Sequence, residues 1–368
     1  MEAVCELYPD ADIFTLVHIP ASISKTIESH EITTSYIQNL PGNIRHFRRY
    51  LLLFPHAIQQ FDLSGYDCVL SFSHCVAKGV KVPKDIPHIC YCHTPIRYAW
   101  HMRGEYLNKF GHLRKYIVEI ALDYLQKWDK KISMGVTRYI ANSENVRKRI
   151  RIAYDRDAEV IYPPVDCERF AVSDEDDGYY LIVSALVPYK RIEIAVEAFT
   201  GIDLKLVIVG NGPELGRLNK MASNNVSFIE CADDKEVAEY MEKCRALIFP
   251  GEEDFGIVPL EAQACGKPVI AFGKGGALET VIGLNHSQNK GETANATGVF
   301  FYEQHPQALQ NAILRFERIK DQFSPHKCRD NAIRFNRFVY QRSIKKHIQT
   351  VMADFEHESL MAEQEIRL

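Results

Sequence analysis

Short apolar runs alternate with helix-length amphipathic segments along almost the whole chain, and this alternation constrains the fold more than any other feature. Candidate strands are Ile13–Val17, Cys68–Phe72, His88–Cys92, Tyr139–Asn142 and Glu159–Tyr162. A second series follows at Tyr180–Ser184, Lys205–Val209, Val226–Ile229, Ala246–Phe249, Pro268–Ala271 and Val299–Tyr302. The runs are rich in Val, Ile and Leu rather than cleanly alternating, as expected for parallel strands covered on both faces. Between them lie helical patterns such as Arg191–Phe199, Pro213–Met221 and Lys235–Cys244. Repeated βα units predict doubly wound α/β sheets.

With 368 residues the chain exceeds the usual single-domain size, so two domains are expected. The first strand series ends at Tyr162-Pro-Pro-Val-Asp166, and the acidic stretch Ser173-Asp-Glu-Asp-Asp-Gly178 precedes the second. The boundary therefore falls near residues 167–178, giving a first Rossmann-like domain over 1–167 and a second over 168–328. Two such domains would face each other across a cleft lined by loops at the carboxyl ends of the strands. The chain opens inside what reads as a first helix, Glu2–Tyr8, closed by Pro9-Asp10. A first strand and Gly-rich turn ahead of it are missing from the pattern, so Met1 reads as an internal methionine. Without that strand, the first sheet is expected to split into two halves with unpaired edges.

A net charge of −4 argues against a broadly basic nucleic-acid binder. No apolar run approaches the roughly 20 residues needed to span a bilayer. The opening Met-Glu-Ala-Val-Cys lacks the features of a signal peptide. Ten cysteines, most of them inside apolar stretches, fit reduced buried thiols and a cytoplasmic protein. Cys90-Tyr-Cys92-His93 invites a metal reading, but the two thiols are expected on opposite strand faces, and no second ligand pair appears. No metal and no cofactor are expected.

The most specific segment runs from Phe249-Pro-Gly-Glu-Glu253-Asp254-Phe255-Gly256-Ile257 through Glu261 to Gly266-Lys-Pro-Val-Ile270. It reads as strand, loop, helix, glycine stop and strand. Backbone N–H groups around Phe255, Gly256 and Ile257 would sit at a helix N-terminus, where the dipole favours a phosphate. A carboxylate on that helix can accept both hydroxyls of a ribose, and one in the loop would reach the sugar beyond the phosphates. This arrangement resembles the E-x7-E signature of retaining GT-B glycosyltransferases of family 4.

Other segments carry the same resemblance. Val183-Ser-Ala-Leu-Val-Pro-Tyr-Lys190-Arg191 looks like the family's first turn in the donor domain, where a lysine neutralises the donor diphosphate. Ala185 stands where the family often has an arginine, so phosphate binding leans on Lys190, with Arg191 second. Gly210-Asn-Gly212-Pro resembles a turn whose glycines admit the nucleotide. Gly273-Lys-Gly275-Gly276 looks like a second glycine-rich donor loop. In the first domain, His93 resembles the family histidine near the reaction centre, with Thr94, Arg97 and Tyr98 on the acceptor side. The string Tyr91-Cys-His-Thr-Pro-Ile-Arg-Tyr98, with Pro95 opening a helix, and Ser71-Phe-Ser-His-Cys-Val-Ala-Lys78 before it, is most similar to the polysaccharide and O-antigen mannosyltransferase branch.

The resemblance implies a nucleotide-sugar donor, GDP-mannose by branch, a saccharide or lipid-linked saccharide acceptor, and retention of configuration without a metal. Glu253 would position the sugar, His93 would help hold it, and Glu261 would bind ribose. It further implies that C-terminal helices over 329–368 cross back to the first domain. The basic aromatic segments Arg45–Phe54 and Lys109–Lys131 read first as solvated helix faces. The functional alternative is peripheral contact with an anionic membrane at the cytoplasmic face. Two other functions fit the motifs: a GT-B sugar-nucleotide epimerase, and a truncated homologue that binds without turnover.

Overall fold

Strands buried on both faces suit runs of Val, Ile and Leu, and the computed structural model places a parallel strand at every apolar run read from the sequence. It describes residues 1–42, 46–108, 110–284 and 295–366, so Arg45 and Lys109 lie outside it. The chain divides into two units. One comprises Met1–Tyr162 with Tyr340–Leu368, and the other Pro163–Val339.

In the first unit, β1 (Ile13–Thr15) and β2 (Ile32–Thr34) form a two-stranded parallel sheet. A four-stranded parallel sheet follows in the order β3 (Val69–Ser73), β4 (His88–Cys92), β5 (Arg138–Ala141) and β6 (Glu159–Val160). Among the described residues no ladder joins the two pieces, so each has an unpaired inner edge. One face of β4 packs Ile89 and Tyr91 against Ala3, Val4 and, from the last helix, Tyr340, Ile344 and Ile348. Tyr91 also donates its hydroxyl to the Ile161 carbonyl at 2.9 Å.

The other face of β4 corrects an expectation. Cys90 and Cys92 lie together, fully buried, in one cluster with Val136, Tyr139, Val146 and Ile150. Strand side chains alternate with period two, so positions i and i+2 share a face rather than opposing one another. The chain's return to the first unit also falls later than expected. Helix Pro325–Ile333 buries Cys328, Asn331 and Ala332 and packs on helix Ile257–Ala264 in the second unit. The long helix Arg337–Ile366 belongs to the first unit only from Tyr340.

The second unit is a six-stranded parallel sheet. Its strands are β7 (Tyr179–Val183), β8 (Lys205–Val209), β9 (Val226–Ile229), β10 (Ala246–Phe249), β11 (Val269–Phe272) and β12 (Gly298–Phe301). Their order is β12-β11-β10-β7-β8-β9, which puts the first strand of the unit in the middle. Ile182, Ile208, Ile248 and Ile270 build the core under Phe199, Leu309 and Phe316.

Candidate active site

Strand order reverses between β7 and β10, which pair directly. Doubly wound sheets open their ligand crevice at the carboxyl ends of such a pair. The loop after β7 carries Lys190 at the end of a short turn, Pro188–Lys190, and the loop after β10 carries Glu253. Their side chains meet there as an ion pair, with 22% and 12% of each left exposed. Arg191, in the left-handed region at φ 58°, turns its guanidinium to Glu193 at 3.2 Å instead. Topology alone thus brings Lys190, and not Arg191, to Glu253.

The glycine-rich loop after β11 locks against the same carboxylate loop. Gly276 donates its N–H to the Glu253 carbonyl at 2.9 Å, and Glu253 and Gly275 form an isolated parallel bridge. A Cβ on Gly276 would stand 2.2 Å from the Phe255 carbonyl oxygen. Gly210 and Gly212 have a packing reason of their own. A Cβ there would stand 1.9 Å from the Ser184 carbonyl oxygen and 2.4 Å from that of Leu186. The chain's own first turn thus requires both glycines.

Helix Ile257–Ala264 begins at Gly256 (φ 94°) with no side-chain cap, which leaves its N-terminus suited to an anion. Asp254 and Phe255 are buried, and the Phe255 ring packs on Phe335 at 5.7 Å. Their side chains therefore belong to the interior. The helix ends at Gly266 (φ 82°), whose N–H donates to the Gln263 carbonyl at 2.9 Å. Asn331 donates to Gln263 Oε1 at 2.7 Å and to the Thr280 carbonyl at 2.9 Å, tying this helix to its neighbours.

Glu261 follows Ile257 by four residues, which sets both on one helix face. Burial raises the Glu261 carboxyl above the usual range, Arg169 opposes that shift, and Asp234 adds to it. Arg169, which itself bonds the Asp234 carbonyl at 3.1 Å, was not picked out from the sequence. Its only sequence signal is its place just after Tyr162-Pro-Pro-Val-Asp166.

In the first unit, His93 directly follows β4, and its N–H donates to the Ser73 carbonyl at 2.8 Å. Its ring lies edge-on to Tyr91 at 5.4 Å. The helix expected from Pro95 does not form; residues 97–102 are turns, and a helix starts only at Arg103. Two side-chain tethers explain this. Tyr98 bonds Cys75 Sγ at 3.0 Å, and Trp100 Nε1 donates to Asp129 at 2.8 Å. Asp129 also pairs with Lys78 at 2.5 Å, both side chains fully buried, and accepts from Tyr154 at 2.7 Å. Thr94 is buried and Arg97 half-buried.

The second half of the chain, residues 168–335, matches the family described as glycosyl transferases group 1. Residues 17–169 match glycosyltransferase family 4. An uncharacterised glycosyltransferase of Methanocaldococcus jannaschii is 30% identical over 284 residues, covering 70% of this chain and 74% of that protein. The chain belongs to the family 4 glycosyltransferases.

An alpha-1,3/1,6-mannosyltransferase of Saccharomyces cerevisiae is 24% identical over 335 residues, and the match spans 73% of this chain and 64% of that enzyme. Sucrose-phosphate synthase from Thermosynechococcus elongatus superposes with a TM-score of 0.72 at 18% identity, covering 96% of this chain and 92% of that one. The likeness shows the GT-B fold, two α/β units with parallel sheets. Among the described residues, no helix is long and apolar enough to cross a membrane.

Proposed function

We propose that this glycosyltransferase moves a mannosyl group, with retention of configuration, from GDP-mannose to a saccharide or lipid-linked saccharide acceptor in polysaccharide biosynthesis. The observation that carries the donor-site reading is the meeting of Lys190 and Glu253 at the switch point of the second sheet, beside an uncapped helix N-terminus. Similarity to a yeast mannosyltransferase supports the sugar.

In this reading Lys190 and the N–H groups at Gly256 and Ile257 take the charge of the leaving diphosphate, with no metal called for. Glu261 accepts the ribose hydroxyls through its ionised form. Glu253 orients the transferred sugar, and Gly275 and Gly276 hold it in place through the backbone. Arg191 keeps only an outer role, since Glu193 engages it. His93 contacts the donor sugar, while Thr94, Arg97 and Tyr98 shape the acceptor side. The protein works at the cytoplasmic face of a membrane without spanning it.

A thermal-shift screen of nucleotide sugars, followed by transfer to saccharide acceptors and NMR of the new linkage, tests this. GDP-mannose should stabilise most and the product should be the α-anomer. An inverted product, or an epimerised donor formed without any acceptor, would sink the proposal.

A further inference from the structure

Helix His112–Ile132 presents an apolar stripe to solvent. Tyr116, Ile117, Ile120 and Tyr124 are 65%, 61%, 53% and 50% exposed. Their spacing puts them on one helical face over about 12 Å, while Leu122, Leu125 and Asp129 bury the opposite face. Four large exposed apolar side chains in one row are unlike singly scattered ones and mark a surface that meets something.

The charges around the stripe say what. Arg114 stands at one end, and Lys127, Lys130 and Lys131 at the other. None of these four pairs with a carboxylate among the described residues, whereas the helix's own Asp123 and Glu119 are taken up by Arg103 at 2.6 and 3.7 Å. Cations at both ends set like charges against each other if two copies pair along this helix in either direction. Four half-exposed side chains also supply well under the roughly 800 Å² that each partner buries in a stable dimer. An apolar stripe bearing tyrosines and bracketed by cations fits the headgroup layer of an anionic bilayer.

We infer that the solvent face of helix His112–Ile132 docks on an anionic lipid surface, its tyrosines and isoleucines entering the interface while the flanking lysines and Arg114 contact lipid phosphates. This rests on the proposed function only for its purpose, delivery of the enzyme to a lipid-borne acceptor.

The test is co-sedimentation of the full chain with phosphatidylcholine vesicles, with and without phosphatidylglycerol, at low and high salt. Binding should require phosphatidylglycerol and weaken with salt. Each of Lys127→Gln, Lys130→Gln and Lys131→Gln should lower partitioning roughly fivefold. The Tyr116→Ser/Ile117→Ser/Ile120→Ser variant should lose on the order of tenfold or more, with its melting temperature kept. No nucleotide sugar is present, so failure here leaves the donor chemistry standing. Transfer to a water-soluble saccharide should stay at the parent rate in the triple variant, and its loss would overturn a pure docking role. Equal binding to neutral and anionic vesicles, or unchanged binding of the triple variant, would overturn the inference. So would a dimer in sedimentation equilibrium that the triple variant dissolves.

Discussion

Replacing Gly276 by alanine should damage turnover more than stability, because the glycine sits between two loops that must touch. Its missing Cβ would lie 2.2 Å from the Phe255 oxygen, 2.3 Å from the Phe255 Cα and 2.5 Å from its carbonyl carbon. Real Cβ contacts stay beyond 3.0 Å and these neighbours are backbone, so the loops have to part by roughly 1 Å. The hydrogen bond from Gly276 N–H to the Glu253 carbonyl, 2.9 Å long, opposes that movement and stretches with it. Overpacking of this kind costs about 1–3 kcal/mol. For a unit of this size that lowers the melting temperature by about 2–12 °C. Glu253 is carried on the displaced loop, and a misplacement of about 1 Å can cost on the order of 100-fold in rate. Calorimetry and transfer from the best-stabilising nucleotide sugar, measured well below the melting transition, separate the two effects. A lowered melting temperature with parental turnover would refute the coupling between the glycine-rich loop and Glu253.

Glu261 predicts opposite pH trends for donor binding and stability. Burial raises its carboxyl pKa in the folded state, so its contribution to stability is full below the ordinary carboxylate range and is lost as pH rises through the raised value. Donor affinity, which needs the carboxylate, should strengthen over that same rise, and Glu261→Gln should flatten both curves in calorimetric titrations. Glu261→Ala should weaken donor binding about 10- to 100-fold, as expected for lost hydrogen bonds to a charged group. Asp129→Ala strands the Lys78 ammonium, whose side chain is fully buried, and should cost about 3–5 kcal/mol in urea unfolding. His93→Ala should lower turnover more than donor affinity, and parental turnover in this variant would remove the histidine from the reaction centre.

The strands were legible because parallel strands covered on both faces need unbroken Val, Ile and Leu. β2 escaped because Ile32-Thr-Thr is short and polar enough to pass for loop. The helix Ile257–Ala264 was equally plain, since an open N-terminus at Gly256 and a left-handed stop at Gly266 are local properties. Where reasoning went astray, distant contacts had overridden local ones. Pro95 suits a helix start, but Tyr98 and Trp100 are held by Cys75 and by Asp129 on another helix, and turns result. The sequence also did not show that Gly210 and Gly212 must make room for the Ser184 and Leu186 carbonyls. The opposed faces given to Cys90 and Cys92 were an error of periodicity alone. No local pattern pairs Lys190 with Glu253; only the strand order, with β7 beside β10, does so.

That pair sets a condition on any ligand of the site. A diphosphate arriving at Lys190 meets the Glu253 carboxylate already there, and like charges about 4 Å apart repel by about 1–4 kcal/mol between bulk water and a protein surface. The repulsion is relieved when Glu253 turns to accept hydroxyl hydrogens from the transferred sugar, which a nucleotide sugar carries beyond its diphosphate and a bare nucleoside diphosphate does not. The carboxylate should therefore favour loaded donor over spent product and assist product release. Glu253→Gln keeps the shape and removes the charge. It should tighten nucleoside diphosphate binding by about tenfold while weakening the nucleotide sugar, so that the ratio of the two affinities inverts or collapses. Parallel weakening of both ligands in titration calorimetry would mean that Glu253 only supports the loop, and that discrimination between donor and product arises elsewhere.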